Sequence, residues 1–346
     1  MKPYEAFWKG KDFVDNLKPS DKVILVHHKD CDGTYSAAIV AIALERLNKK
    51  INKIIAGTTE KNDDIVKAIK PYNKVIIVDI GIDLLFKELN RMGKEILYLD
   101  HHMPVDKELS KDIVYINPRL ENDKIYQPAT YVVFKFFSHI ADISDKEWLA
   151  VIGTIGDYGY EDCRDLLDKY IEVKEKSGIW KTQYGKAAIE TVGAAAEIGF
   201  DKLLKILIKS KNFEELMRNK EIKTAYRKYE GMYETAKKQF WKNAERFDDV
   251  DLIFSVLDSK VERVGSAIST ETSTKYPDKI IFLLEKVDNF YKIHARNQKA
   301  KVNLGKMLRD MGVGGGHIAA AGGKINMKDL GGFKRNLLIK IRNKVK

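Results

Sequence analysis

The sequence predicts an α/β fold with two lobes, and three observations on the 346-residue chain predict it. From residue 23 to about 160, short β-branched runs alternate with helical patterns, which is typical of βαβ units and a mostly parallel sheet. From about 162 to 247 the spacing is helical and the strand signal is lost. A new strand pattern starts at residue 251. We therefore expect an N-terminal mostly parallel βαβ sheet domain and a smaller C-terminal α/β domain, joined by a helical connector.

The N-terminal lobe is predicted to contain five strands with helices between them. The strand candidates are 23–27, 52–56, 75–79, 96–99 and 113–116. Their near-continuous hydrophobicity is typical of parallel strands that are covered on both faces. The helix candidates are Ser36–Leu47, Asp63–Ile69 and Leu84–Met92. In open parallel sheets, functional residues gather just beyond the carboxyl ends of the strands, so that edge is where we expect the site.

The later parts of the chain carry weaker signals. The connector holds four aromatic residues at helical spacing, and a core or subunit interface is a commoner use of such a stripe than base stacking; they are Tyr226, Tyr229, Tyr233 and Phe240. In the C-terminal lobe, 252–256, 280–284 and 291–295 are strand candidates, and the last two predict a hairpin closed by Glu285–Phe290. We interpret the glycine-rich run that follows as a loop leading into an Ala-rich helix start.

Composition limits the function classes. No stretch approaches the roughly 20 apolar residues of a membrane-spanning helix, and the first ten residues lack the pattern of a signal peptide, so we expect a cytoplasmic protein without a membrane role. Cys31 and Cys163 make neither a disulfide framework nor a zinc knuckle. The formal charge of +11 favours a polyanionic partner, although Lys-rich heat-adapted proteins share this composition.

Carboxylate and imidazole side chains end four buried-looking segments. The candidate metal ligands are His28, Asp30, Asp32, Asp79, His101 and Asp157. Six such ligands are too many for tetrahedral zinc but suit two octahedral manganese or magnesium ions that share a carboxylate. Two such ions can activate water at phosphorus. Each motif alone has an ordinary alternative: Asp100-His101-His102 can be a helix-capping turn, and Asp157 a turn residue between glycines.

The sequence does not decide the geometry of the segment after the first strand. Asp30 and Asp32 would share one side if the strand continued, whereas a turn at Asp32-Gly33 would arrange them around an ion. In both cases we expect Cys31, which lies between them, to point away into packing.

Taken in order along the chain, these motifs resemble those of the DHH phosphoesterase superfamily, in the branch with the DHH-associated C-terminal domain. RecJ-type exonucleases, NrnA-type oligoribonucleases and archaeal GINS-associated nucleases belong to that branch. The motifs are His28-x-Asp-x-Asp-Gly33, Asp79, Asp100-His-His102, Asp157 and Gly314-Gly-Gly-His317. The His-x-Asp-x-Asp spacing is closest to the RecJ pattern, in which an aspartate takes the position of His28. His27 is the weaker substitute for that position.

The resemblance implies a role for each motif. Asp32, Asp79, His101 and Asp157 would bind one ion, and His28, Asp30 and Asp79 the other, with Asp79 bridging. His102 would face the scissile phosphate and Asp100 would orient its neighbours. Arg296 and the loop Gly314, Gly315, Gly316 and His317 would contact the substrate. The implied domains are a DHH catalytic domain at 1–165, a helical connector at 166–248, and a DHH-associated substrate-binding domain at 249–346.

The activity that we expect is a manganese-dependent phosphodiesterase with two Mn²⁺ ions, Mg²⁺ being the other candidate. The main hypothesis is an exonuclease that hydrolyses single-stranded DNA or RNA from an end. The rival is a small-substrate phosphoesterase acting on short oligonucleotides, cyclic dinucleotides or phosphoadenosine phosphate. A third reading is a catalytically silent scaffold of a replication complex. Replication or repair proteins and a second copy of the chain remain open as partners.

Overall fold

The structure, a computed structural model, describes residues 3–57, 62–81, 86–104, 110–257, 264–316 and 318–345. It contains two compact units, Met1–Arg227 and Lys228–Lys346, which we call the first and second units. Among the described residues, no helix is both long and apolar enough to cross a membrane. The three-part domain division expected from the sequence stays a prediction.

A five-stranded parallel sheet forms the centre of the first unit, in the order β2-β1-β3-β4-β5. Its strands are β1 (Val23–His28), β2 (Lys53–Gly57), β3 (Lys74–Val78), β4 (Glu95–Leu99) and β5 (Ile113–Ile116). The helices up to residue 156 are α1 (Pro3–Asp15), α2 (Cys31–Arg46), α3 (Asn62–Ile69), α4 (Phe86–Arg91), α5 (Ala129–Phe137) and α6 (Glu147–Gly156). The predicted α/β class and the parallel sheet are confirmed.

Predicted and observed helix bounds differ most at α2, which begins at Cys31 rather than Ser36. It starts earlier because Asp30 caps it, its side chain accepting a hydrogen bond from the backbone N–H of Gly33 at 2.9 Å. The first two residues of the predicted Leu84–Met92 helix lie outside the described residues, and α4 covers the rest up to Arg91.

Both faces of the parallel sheet are buried, which explains why its strands read as continuous apolar runs. In β1, Val23 and Leu25 belong to a hydrophobic core on one face, and Ile24 and Val26 belong to a second core on the other. The alternation follows from the period of two along a strand.

The strand order reverses at β1, which pairs with β2 on one side and with β3 on the other. Such a reversal marks the position where open parallel sheets bind ligands, beyond the carboxyl ends of the strands. The register pairs His27 with Val78, and Val78 with Leu99. The residues that follow each strand therefore begin at one level of the sheet.

Five α-helices follow α6 in this part of the chain: α7 (Arg164–Leu167), α8 (Gln183–Ile198), α9 (Phe200–Lys209), α10 (Phe213–Arg218) and α11 (Lys220–Lys242). The core that covers one face of the sheet includes Ala187, Leu203 and Leu216 from three of them. Buried hydrogen bonding adds to this packing, since the Tyr35 hydroxyl of α2 contacts the Thr191 hydroxyl of α8 at 3.0 Å.

The aromatic stripe of α11 is used for packing. Phe240 is fully buried, and Tyr229 and Tyr233 pack against the same core within the second unit. Tyr226 packs against the core of the first unit. The interpretation of the stripe as core, rather than as a platform for bases, agrees with these contacts.

The second unit contains a six-stranded mixed sheet in the order β10-β11-β9-β8-β7-β6. Its strands are β6 (Glu245–Phe247), β7 (Leu252–Leu257), β8 (Ile280–Val287), β9 (Phe290–Arg296), β10 (Gly314–Gly316) and β11 (Ala320–Asn326). Its helices after α11 are α12 (Gly265–Lys275), α13 (Leu304–Asp310) and α14 (Leu330–Val345). The predicted hairpin is present, but its strands are longer, so that only Asp288 and Asn289 connect them.

The Ala-rich helix start expected after the glycine run is wrong. Ala320 to Asn326 form strand β11, which pairs with β9 and with the glycine strand β10. The glycines allow β10 and β11 to approach closely: a Cβ on Gly314 would lie 2.1 Å from the Gly322 carbonyl oxygen. Pairing along both edges outweighs the helix preference of alanine in this segment.

Two neighbouring glycines of β11 give a matched test of this close approach. A Cβ on Gly323 would lie 2.1 Å from the Val313 carbonyl oxygen, whereas one on Gly322 meets nothing nearer than 3.4 Å. We expect Gly323→Ala to lower the free energy of unfolding by about 1–3 kcal/mol through overpacking. Gly322→Ala should change it by less than about 0.5 kcal/mol. Urea denaturation followed by circular dichroism measures both, and equal effects would contradict this explanation.

Candidate metal centre

The turn after β1 brings three candidate ligands to the sheet edge. β1 ends at His28, and α2 begins at Cys31, so the chain turns rather than continuing as a strand. Asp30 accepts a hydrogen bond from His28 Nδ1 at 2.6 Å. The turn is tight, because a Cβ on Gly33 would lie 2.5 Å from the His28 carbonyl oxygen. The chain therefore turns, as in one of the two geometries left open by the sequence, but it does so at Lys29 and Asp30 rather than at Asp32-Gly33, which lies in the first turn of α2.

Asp32 lies in the first turn of α2 and is 1% exposed. Its carboxylate accepts the backbone N–H groups of Ala129 and Thr130, both at 2.7 Å, at the first turn of α5. The Thr130 hydroxyl also donates to it. The partial positive charge of the helix N-terminus stabilises a buried carboxylate. These bonds fix the orientation of Asp32, whose Oδ2 also lies 3.7 Å from His101 Nε2.

Cys31 takes no part in the cluster of polar groups. Its Sγ packs against Gly156, where an added Cβ would lie 2.3 Å from it, and its side chain belongs to the core of the first unit. The expectation that it points into packing agrees with these contacts.

Asp79 follows β3 and adopts a left-handed backbone with φ of 58°. Such a conformation costs a residue with a side chain of order 1–3 kcal/mol, and it persists where the surrounding structure imposes it. Asp79 Oδ1 lies 3.3 Å from His101 Nε2, and its Oδ2 lies 3.7 Å from His28 Nδ1. The two oxygens of one carboxylate therefore face two different imidazoles.

The Asp100-His101-His102 segment follows β4, and its two histidines face different groups. Asp100 is fully buried and accepts hydrogen bonds from the Tyr98 hydroxyl at 2.8 Å and from His102 Nδ1 at 2.7 Å. His102 can therefore offer only its Nε2 to another group. Its carbonyl accepts a hydrogen bond from the Asn117 side chain at 2.8 Å. His101 instead turns its Nε2 towards three carboxylates.

Asp157 reaches the cluster from a helix, so the buried-looking segment that it ends is not a strand like those before the other three motifs. It follows α6 directly and accepts a hydrogen bond from the Tyr126 hydroxyl at 2.5 Å. Its Oδ2 lies 3.6 Å from His101 Nε2. The apolar run before it is buried as a helix rather than a strand, and periodicity alone does not separate these two cases in a short run.

The six predicted ligands thus converge at one end of the sheet in the first unit. Three groups have ligand atoms within 4.8 Å of one another among the described residues. They are His28-Asp30-Asp79, Asp32-His101-Asp157 and Asp79-His101-His102. Asp79 belongs to two of them, the first and the third, and His101 to the last two.

The electrostatics of the cluster fit a divalent cation. Burial raises the pKa of Asp32 well above its usual range, and the nearby charge of Asp79 raises it further. Burial lowers the pKa of His101, but Asp79, Asp157 and Asp32 outweigh burial and raise it to about 10. Asp79 Oδ2 is buried and has no hydrogen-bond partner in the described part of the chain. Bound cations would relieve this mutual repulsion and would occupy the unpartnered oxygen.

His27, the weaker candidate at this position, does not join the cluster. The period of two turns its ring to the opposite face from His28, where it is fully buried. Its Nδ1 lies 2.8 Å from the His28 carbonyl oxygen.

The candidate substrate-binding residues lie in the second unit. Arg296 ends β9, and its guanidinium donates to the Ser266 and Thr270 hydroxyls of α12 at 3.0 and 3.1 Å. The register places Arg296 opposite Ala320 at the start of β11, and Gly316 opposite Ala321. Arg296 and the glycine strand Gly314–Gly316 therefore lie at one end of this sheet. His317 lies outside the described residues.

Two residues that contact the site, Asn117 and Tyr126, are not among the site residues expected from the sequence. Asn117 could have been predicted, because it is a polar residue directly after strand β5, as Asp79 is after β3. Tyr126, whose hydroxyl holds Asp157, could not have been, because it lies in irregular chain before α5.

Two family models match this chain. A model described as DHH family, N-terminal domain, matches residues 22–154, and a DHHA1 domain model matches residues 249–341. The chain belongs to the DHH superfamily. Its carboxylate and imidazole clusters support the use of divalent metal. No curated protein sequence matches the chain significantly.

Solved structures share its fold at low sequence identity. RecJ from Thermus thermophilus in complex with Mn²⁺ has a TM-score of 0.76 at 17% identity, covering 98% of this chain and 55% of that one. This chain therefore spans about half the length of that RecJ. An exonuclease RecJ bound to manganese has a TM-score of 0.72 at 15% identity, covering 97% and 94%. The pGpG-specific phosphodiesterase PggH from Vibrio cholerae has a TM-score of 0.57 at 14% identity, covering 93% and 99%.

Divalent metal should stabilise the folded protein through Asp79. A ligand at a hundredfold excess over its dissociation constant adds about 2.7 kcal/mol of stability. We expect Mn²⁺ to raise the melting temperature of the wild-type protein, and Asp79→Asn to lose most of that increase because the shared carboxylate is gone. Differential scanning calorimetry with and without Mn²⁺ measures the increase.

Asp64→Asn, which alters an exposed carboxylate on α3, is the matched control and should retain the full increase. An Asp79→Asn protein that Mn²⁺ stabilises as strongly as the wild type would contradict the proposed position of the site.

Proposed function

We propose that this protein is a manganese-dependent phosphodiesterase that hydrolyses single-stranded DNA or RNA from an end. The observation that carries the proposal is the convergence of six carboxylate and imidazole ligands in groups linked by Asp79 and His101, in a family of phosphoesterases. The formal charge of +11 supports a polyanionic substrate. The likeness to two manganese-bound RecJ structures supports the choice of metal and of an exonuclease.

The ligand atoms divide into two sets that share Asp79. His28 and Asp30 would hold one ion, and Asp32, His101 and Asp157 the other, with one oxygen of Asp79 directed to each set. When bound, two divalent ions activate water and stabilise both the attacking and the leaving oxygen at phosphorus. Mg²⁺ also prefers carboxylate oxygen and is the alternative cofactor, but manganese accepts imidazole ligands more readily.

His102 is the proposed contact to the scissile phosphate. Asp100 fixes its Nδ1, so the opposite ring nitrogen is free to face a phosphoryl oxygen. Burial lowers the pKa of His102, but the charge of Asp100 and its hydrogen bond outweigh burial and raise it. A cationic ring would offset the charge that develops on the phosphoryl oxygens. Asp100 is thus a positioning residue in this proposal.

Arg296 and the loop Gly314 to His317 are the proposed substrate contacts of the second unit. A guanidinium binds phosphate oxygens in a bidentate manner, and Ser266 and Thr270 hold that of Arg296 in place. Backbone N–H groups of a glycine strand can approach a phosphate closely because no side chain intervenes.

A small-substrate phosphoesterase is the second candidate. The likeness to the pGpG-specific phosphodiesterase PggH, which covers 93% of this chain, favours it. Substrate length separates the two candidates, since both would use the same ligands and the same chemistry.

End-labelled DNA and RNA strands of two to about twenty nucleotides, incubated with Mn²⁺, test the proposal. We expect stepwise shortening from one end for the longer strands, and loss of nearly all activity in Asp79→Asn but not in Asp64→Asn. The time courses also give polarity and sugar preference. Activity confined to the shortest strands would favour the second candidate, and no hydrolysis of any strand would favour a scaffold role.

A further inference from the structure

We propose that Arg119 and Lys176 form a subsite for a second phosphate of the substrate, next to the one that is cleaved. The inference rests on the proposed phosphodiesterase function and adds a specificity site within the first unit. Its structural centre is Tyr126, which joins these two cations to the candidate metal ligands.

Tyr126 is held at several atoms. Its hydroxyl donates to Asp157 Oδ2 at 2.5 Å, and its backbone N–H donates to the Asp162 side chain at 2.7 Å. Its ring packs edge-on against that of His101, with 5.6 Å between the ring centroids. The ring is therefore a fixed platform beside the metal cluster.

Two cations lie over this platform. The guanidinium carbon of Arg119 is 5.3 Å from the centroid of the Tyr126 ring, and Lys176 Nζ is 5.6 Å from it. Both distances are within the range of cation–π attraction. Because cations already lie over the ring, it is better suited to placing positive charge than to stacking a base.

The Arg119 side of the subsite is built into the fold. Arg119 lies in a 3-10 turn at Pro118–Leu120, and its backbone N–H donates to the Asn117 side chain at 2.9 Å. Asn117 is 6% exposed and also donates to the carbonyl of His102. One buried side chain thus links the Arg119 turn to the segment that carries the proposed phosphate contact.

Among the described residues, neither cation has an acidic partner that neutralises its charge. Within the part of the chain that the structure describes, no carboxylate lies within ion-pair distance of Arg119 or Lys176, and the buried Nε of Arg119 has no hydrogen-bond partner. Two divalent ions would balance the four carboxylates of the metal cluster, leaving these two positive charges for an anion. A phosphodiester or terminal phosphate oxygen has the charge and the acceptors that a guanidinium and an ammonium bind.

Kinetics on two substrates that differ in phosphate number test the subsite. One is the p-nitrophenyl ester of thymidine 5′-phosphate, which has a single phosphodiester, and the other is a six-residue oligothymidylate. We expect the double variant Arg119→Gln, Lys176→Gln to raise KM for the oligomer at least tenfold, with kcat within about twofold. Its constants for the nitrophenyl ester should match the wild type. Arg119→Lys should retain part of the oligomer affinity.

Lys174→Gln is the surface-charge control, since this exposed lysine is two residues from Lys176 and its loss removes one positive charge, where the double variant removes two. An unchanged KM for the oligomer, or an equal increase in Lys174→Gln, would overturn the proposal. Equal losses of kcat on both substrates would also overturn it, because the two residues would then act only by supporting Tyr126 and Asp157.

A binding measurement keeps this test independent of the proposed function. Fluorescence anisotropy with a labelled oligothymidylate and Ca²⁺ in place of Mn²⁺ gives the affinity of each variant. We expect the double variant to bind at least tenfold more weakly than wild type and Lys174→Gln. If the wild type hydrolyses neither substrate, the proposed function fails, while equal affinities across the variants would overturn the subsite alone.

Discussion

The shared use of the Asp79 carboxylate is the constraint on which the rest of the candidate site depends. Its two oxygens face His101 and His28 from a residue with a left-handed backbone, directly after β3. Only a central strand flanked by β1 and β4 lets one carboxylate reach ligands from both neighbours. The strand order, the register and the buried apolar strands thus place the Asp79 carboxylate within reach of both sets of ligands.

Support for the ligands comes from uncharged or oppositely charged groups behind them. The first turn of α5 holds Asp32 and Tyr126 holds Asp157, and Asp100 holds the proposed phosphate contact His102 in the same way. Each partner fixes the orientation of the side chain that it contacts. Such outer contacts set the orientation of metal ligands in proteins generally.

Much of the fold and of the site could be predicted from the sequence, for a physical reason. Parallel strands buried on both faces leave continuous apolar runs, so β1 to β5 and the residues that end them, such as Asp79 and His101, were visible. The helix before Asp157 and the strand at Ala320 were not, because short apolar or Ala-Gly runs acquire their conformation from their neighbours. Tyr126 lies in irregular chain and Arg119 in a three-residue 3-10 turn, where local sequence carries no periodic signal.

The metal content of the purified protein tests the shared-carboxylate arrangement most directly. Titration with Mn²⁺, followed by calorimetry and by electron paramagnetic resonance, gives both the number of bound ions and any magnetic coupling between them. The arrangement predicts two ions per chain with a coupled signal, and loss of the coupling in Asp79→Asn. A single uncoupled ion in the wild type, or a coupled pair that survives in Asp79→Asn, would contradict it.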